Sequence, residues 1–251
     1  MSETKVEASA ADGKAEAYLY TPSSGNGPWP GVIFLTDIMG IRDANLGMAK
    51  RIAEHGYVVL VPNIFYRVTR LPVVDFELKM GDERTMKRMG ELRAGLSSAQ
   101  MGPDGAAYAD FLLAQQSVKG SRVAVAGYCF TGTMAIRTAA AAPDKIAAAA
   151  SFHGGGLYTD RPDSPHLLAP KIKAHMYFGV AANDDQKQPD AKDKLKESFA
   201  KAGVPTEVEV YPAKHGWCVP DMPMEDGAPI YDKAQAERAW SKLVALYKTL
   251  G

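Results

Sequence analysis

The chain has 251 residues, 46% hydrophobic and 23% charged, with 29 Lys plus Arg against 29 Asp plus Glu. That length can bury a sizeable core without covalent staples, and the charge balance argues against a nucleic-acid partner or an anionic membrane surface. Two cysteines, Cys129 and Cys218, are too few for a disulfide scaffold.

The first twenty residues, MSETKVEASAADGKAEAYLY, are polar and mixed in charge, without the apolar stretch of a signal peptide. No run reaches the roughly 18 apolar residues of a membrane span. A cytoplasmic protein with no membrane partner is the expectation.

AEAYLYT (15–21) alternates as a half-buried strand does, and GVIFLT (31–36) is apolar throughout, as in a strand covered on both faces. DANLGMAKRIAEHG (43–56) has helical spacing, with Leu46, Ala49, Ile52 and Ala53 on one face and Gly56 closing it. YVVLVP (57–62) is the next buried strand. Residues 64–103 carry many charges with Met, Arg and Gly, and predict helical pieces and loops over one end of a sheet. Helix 104–117, strand 122–127, helix 131–142 and strand 145–152 follow. Strand 175–181, helix 190–203, strand 206–212 and helix 233–250 complete the pattern. Buried strands alternating with helices predict a doubly wound, mostly parallel α/β sheet with helices on both faces, in one domain over 1–251.

Ligand sites in such sheets lie at the carboxyl ends of strands. Three reactive groups fall there. Cys129 sits in Gly127-Tyr128-Cys129-Phe130-Thr131-Gly132, between a strand and a helix. A sharp nucleophile turn needs a small residue two before the nucleophile, and Gly127 supplies it. Thr131 stands where glycine is commonest. The helix dipole favours a thiolate at Cys129, and the Phe130 N–H points where an oxyanion develops. Asp184, with Asp185 as its alternative, follows strand 175–181. His215 follows strand 206–212. Nucleophile, acid, histidine is the chain order of α/β-hydrolases. Cys218, three residues past His215, reads as structural. A thiol alone is more often inert core; the joint placement is what points to chemistry. An inactive ligand-binding protein and a redox-sensing cysteine are the rival readings.

With LTDIMGIRD (35–43), HGYVVLVPNIFYR (55–67), GYCFTG (127–132), GVAANDD (179–185) and YPAKHGW (211–217), the chain resembles the dienelactone hydrolase family, a cysteine branch of the α/β-hydrolases. The resemblance implies a Cys129–Asp184–His215 triad and an oxyanion hole from the N–H groups of Ile38 and Phe130. In the best-known members a Glu stands before the second donor and helps activate the cysteine; here it is Asp37, which also reads as a cap for the helix at 43. Two arginines hold a substrate carboxylate in the lactone-cleaving members. One of these positions is Val219 here, and Arg84 or Arg88 lies near the other. His153, in SFHGGG, reads either as facing the cleft or as a packed, hydrogen-bonded histidine. Trp217 and Tyr128 read as pocket wall or core.

A small-molecule ester or lactone is the expected substrate, with a general carboxylesterase or thioesterase that lacks lactone preference as the alternative, handled by a monomer or homodimer with no cofactor. HGGG is neither a dinucleotide fingerprint nor a phosphate loop, and the histidines and acids lack metal-ligand spacing.

Overall fold

The structure is a computed structural model and describes residues 1–79, 81–225 and 227–250. Eight strands form one sheet: β1 (Ser2–Ala10), β2 (Gly13–Thr21), β3 (Gly31–Leu35), β4 (Val58–Pro62), β5 (Val123–Tyr128), β6 (Ile146–Phe152), β7 (His175–Ala181) and β8 (Thr206–Tyr211). Their order is β1-β2-β4-β3-β5-β6-β7-β8. The hairpin β1–β2 is antiparallel and meets β4 antiparallel, whereas β4 through β8 run parallel. This is the α/β-hydrolase fold.

Among the described residues, seven α-helices accompany the sheet: α1 (Asp43–Glu54), α2 (Glu83–Ala94), α3 (Ser98–Leu113), α4 (Gly132–Ala141), α5 (Ala182–Lys187), α6 (Ala191–Lys201) and α7 (Lys233–Tyr247). The apolar strands divide their side chains between two cores because successive residues point to opposite faces. Val32 and Phe34 of β3 join Ile52 of α1 and Leu243 of α7. Ile33 and Leu35 join Leu112 of α3, Met134 of α4 and Phe199 of α6. Each such side chain, once fully buried, contributes roughly 1.5–3 kcal/mol.

Four details depart from the pattern. β1 was not predicted: only Ala8 of its nine residues is buried, so its sequence carries no apolar signature. Its charges suit an edge strand, which they protect from further pairing. Helix α3 begins at Ser98 and ends at Leu113, not 104–117; Ser97 and Gln100 form a capping box upstream of Pro103, which lies inside the helix. The predicted helix from 131 starts as a 3-10 turn, Cys129–Thr131, before α4. Asp184 lies not on a bare loop but in the first turn of α5.

The strand order reverses between β3 and β5. Leu35 pairs with Gly127 there, so the segments after them, 36–42 and 129–131, leave the same sheet edge side by side. A reversal of this kind opens the crevice in which open α/β sheets bind their ligands.

Candidate active site

The turn after β5 is built around two exceptions to ordinary backbone geometry. Cys129 has φ 55°, in the left-handed region that disfavours a side chain. Gly127 lies so close to the returning chain that a Cβ there would collide with the carbonyl of Thr131. Thr131 stabilises the turn. Its hydroxyl accepts from the Tyr128 N–H (2.9 Å) and is directed at the carbonyls of Tyr128 (3.0 Å) and Leu35 (3.1 Å). A glycine could not make these bonds, so the departure at 131 ties the turn to β3.

His215 Nδ1 lies 2.6 Å from Asp184 Oδ2. Asn183, the neighbour of Asp184, accepts the His215 backbone N–H through Oδ1 at 2.9 Å, and the Ala182 N–H donates to the Ala213 carbonyl at 2.9 Å. Helix α5 therefore holds both the ring and the backbone of the histidine. Gly216 next to it has φ 99°, and a Cβ there would meet Met222 Cε at 2.7 Å. Asp185 instead pairs with Lys192 at 2.8 Å, which leaves Asp184 as the partner of the ring.

Burial alone would lower the His215 pKa. Hydrogen bonding to Asp184 and Cys129, and the charges of both, overcome it and raise the pKa to about 10. Cys129, Asp184 and His215 thus converge at the ends of β5, β7 and β8. Ile38 and Phe130 follow the adjacent strands β3 and β5, three residues beyond the paired Leu35 and Gly127. The Ile38 N–H has no hydrogen-bond partner among the described residues.

The remaining candidates lie elsewhere or in other roles. Asp37 is buried, but it does not cap α1, whose first turn has no side-chain cap. Arg42 grips it with both terminal nitrogens, at 2.8 and 3.0 Å, and the Met39 N–H donates to its Oδ1 at 2.9 Å. Arg84 is exposed, over the Phe76 ring (4.0 Å) and 3.7 Å from Asp75. Arg88 donates to the Val73 carbonyl at 2.8 and 3.2 Å. The arginine of α2 that reaches toward the nucleophile turn is Arg93, 5.9 Å over the ring of Phe130, on a cleft of about 400 Å³ with Met101, Thr133 and Arg137.

His153 is 1% exposed, so it does not face the cleft. Nor is its ring hydrogen-bonded: neither ring nitrogen has a partner among the described residues, while its backbone N–H donates to the Gly179 carbonyl at 2.8 Å. The ring packs edge-on against His215 (5.0 Å) and Trp217 (5.2 Å). Burial, and then the charge of His215, push its pKa well below the usual histidine value. Trp217 belongs to the core, fully buried and stacked on Tyr211 at 4.7 Å. Tyr128 is buried too, stacked on Phe152 at 5.4 Å. Its ring and Cys218 line a separate cavity of about 300 Å³ between α1 and α7. Cys218 is a free, buried thiol whose pKa burial pushes up.

Among the described residues, no cluster of three or more His, Cys, Asp or Glu is placed to hold a metal ion, and no helix is long and apolar enough to cross a membrane.

The pattern of the dienelactone hydrolase family matches residues 15–251. The chain belongs to this family. A relative from Methylorubrum extorquens, named "Putative carboxymethylenebutenolidase", is 26% identical over 98% of this chain and 81% of its own. Protein usf of Aquifex pyrophilus is 26% identical over 94% and 93%. Among solved structures, a dienelactone hydrolase-like promiscuous phosphotriesterase from metagenomic libraries superposes with a TM-score of 0.78 at 23% identity, over 99% of this chain and 98% of that one. Membership places the protein in a family of dienelactone hydrolase-like hydrolases.

Asn183, Arg42 and Arg93 are site neighbours that sequence reasoning missed. Asn183 had a signal, since a side-chain acceptor stands directly before the acid. The other two had none.

Proposed function

We propose that the protein hydrolyses carboxylic esters or lactones through a Cys129–Asp184–His215 triad. The observation that carries this is the 2.6 Å Asp184–His215 bond beside a cysteine held in a left-handed turn. The Cys129 thiolate attacks the substrate carbonyl. The resulting oxyanion is held by the N–H groups of Ile38 and Phe130, and losing one such donor costs about 2.7–4 kcal/mol in other hydrolases. The tetrahedral adduct collapses, the carbon–oxygen bond breaks, and the alkoxide takes a proton from the His215 imidazolium. The raised His215 pKa supports that protonated form before attack. Now neutral, His215 takes a proton from water, whose hydroxide cleaves the acyl-thioester and restores the thiolate. Asp184 keeps the ring in the tautomer that both transfers need.

A thiolate leaves more readily than an alkoxide, so the reaction favours activated carbonyls such as enol lactones, aryl esters and thioesters over amides. Val219 supports a general ester or thioester preference over dienelactone cleavage. It is fully buried and apolar where the lactone-cleaving members carry an arginine, and Arg84 and Arg88 are turned to other partners.

The test is hydrolysis of p-nitrophenyl acetate and of a dienelactone by the wild type and by Cys129→Ala. Turnover of the aryl ester that vanishes in Cys129→Ala is the expected result. Undiminished turnover in the variant overturns the triad, and a lactone-only activity overturns the substrate preference.

A further inference from the structure

Arg42 uses every donor it has. Its Nε donates to Asp221 Oδ2 at 2.7 Å. One terminal nitrogen reaches Asp37 Oδ1 (2.8 Å) and the Gly40 carbonyl (3.0 Å). The other reaches Asp37 Oδ2 (3.0 Å) and Asp221 Oδ1 (2.9 Å). Both carboxylates are gripped in the two-pronged geometry that only a guanidinium supplies. The Arg42–Asp37 half is sheltered from water, with Arg42 16% and Asp37 2% exposed, whereas Asp221 is 38% exposed. Burial pushes the Arg42 pKa down, but Asp221 and Asp37 reverse this and hold it above its ordinary value.

The two carboxylates belong to the two loops that carry the chemistry. Asp37 opens a turn closed by the Gly40 N–H on its carbonyl (3.0 Å) and by the Met39 N–H on its side chain (2.9 Å), and Ile38 lies inside that turn. Asp221 lies in a run of tight turns that begins at Lys214 and includes His215. The Trp217 N–H donates to Lys214, the Val219 N–H to Gly216 and the Met222 N–H to Val219, at 3.0–3.2 Å. Among the described residues, only Arg42 fastens the Asp37 carboxylate to that run.

We infer that Arg42 is a positioning residue that locks the Ile38 loop to the His215 loop and holds Asp37 away from Cys129. The reading rests on the proposed use of the Ile38 N–H and His215 in ester cleavage. It means that Asp37 takes no proton from the thiol, so that His215 alone activates the nucleophile.

The experiment compares the wild type with Arg42→Gln, Arg42→Lys and Asp37→Asn, each checked for folding by thermal melting. On p-nitrophenyl acetate, Arg42→Gln should lose about tenfold or more in kcat with KM within about twofold, the split expected of an interaction that matters in the transition state. Arg42→Lys should lose most of the same, because an ammonium has three donors on one atom and cannot span both carboxylates. Amide exchange in Arg42→Gln should quicken by about tenfold or more at Met39 and Gly40 and, together with them, at Val219 and Met222, as expected of a local unit that opens as one. The pH profile of Cys129 alkylation by iodoacetamide should move no further in Asp37→Asn than in Arg42→Gln, because both variants weaken the clamp and neither removes a base. Wild-type kcat in a folded Arg42→Gln, faster exchange at only one of the two loops, or an alkylation profile displaced further in Asp37→Asn than in Arg42→Gln overturns the inference. If the wild type itself cleaves no ester, the esterase reading fails, while exchange and alkylation still decide the clamp.

Discussion

Two neighbouring strands end in the same way and to opposite effect. Beyond β5, Cys129 sits at φ 55°; beyond β6, His153 sits at φ 41°. These are the only left-handed residues other than glycine among the described residues, and such conformations gather at functional sites. Cys129 is partly exposed, with a histidine close enough to hydrogen-bond. His153 is sealed among Tyr128, Trp217 and His215, with both ring nitrogens unpartnered. Strain therefore marks the edge of the site but does not identify the reacting group. Access and a proton partner do.

The comparison breaks first at the chemistry. Replacing Cys129 by Ala should remove turnover completely and leave the melting temperature close to wild type, whereas a conservative change at His153 should leave measurable turnover. Asp184→Asn should lower kcat by roughly 10³–10⁴-fold, the order seen when the orienting acid of a serine triad is made neutral. Steady-state kinetics on an aryl ester checks both. An Asp184→Asn variant with near-wild-type kcat would make the 2.6 Å bond structural.

Much of this was readable in the chain, and the rest was hidden for identifiable reasons. GVIFL and VAVAGY announce buried strands because both of their faces are covered. The nucleophile turn is legible because its local constraints fall within six residues, from Gly127 to Gly132, although the bond from Thr131 to the Leu35 carbonyl does not. β1 is silent, since an exposed edge strand needs no apolar side. Helix α3 hid its first turns behind Pro103. The Arg42 clamp joins residues 179 apart, and no local pattern records such a partner. The burial of Trp217 and His153 is likewise a property of packing between β6, β8 and the loop after it, not of either local sequence.

The turn's backbone offers the next test, of intermediate size. Gly127→Ala places a methyl against the Thr131 carbonyl, which belongs to backbone and cannot swing aside. Overpacking of this kind costs about 1–3 kcal/mol, and more where nothing yields. Chemical denaturation should show that loss, and activity should fall with it because Cys129 moves. Unchanged stability would mean that the turn is looser than its hydrogen bonds imply.

The smallest effect separates the two histidines by sign. His215 has a folded pKa of about 10, above the value of roughly 6.5 for an unfolded chain. Its protonated ring therefore stabilises the fold fully below pH 6.5, and that contribution is lost as pH rises through about 10. His153 is depressed instead, by burial and then by the charge of His215. Its neutral ring is compatible with the fold above pH 6.5, and stability is lost as pH falls and the unfolded chain takes up the proton that the folded one refuses. Against His215→Gln, the wild type's relative stability should decline between pH 6.5 and 10. Against His153→Leu, it should decline as the pH is lowered from 7 to 5. Denaturant titrations at pH 5, 7 and 9.5 read both slopes. Equal slopes would mean that the two rings share one environment. Opposite slopes would show that 5.0 Å between ring centres spans the boundary between a proton-holding site and the core behind it.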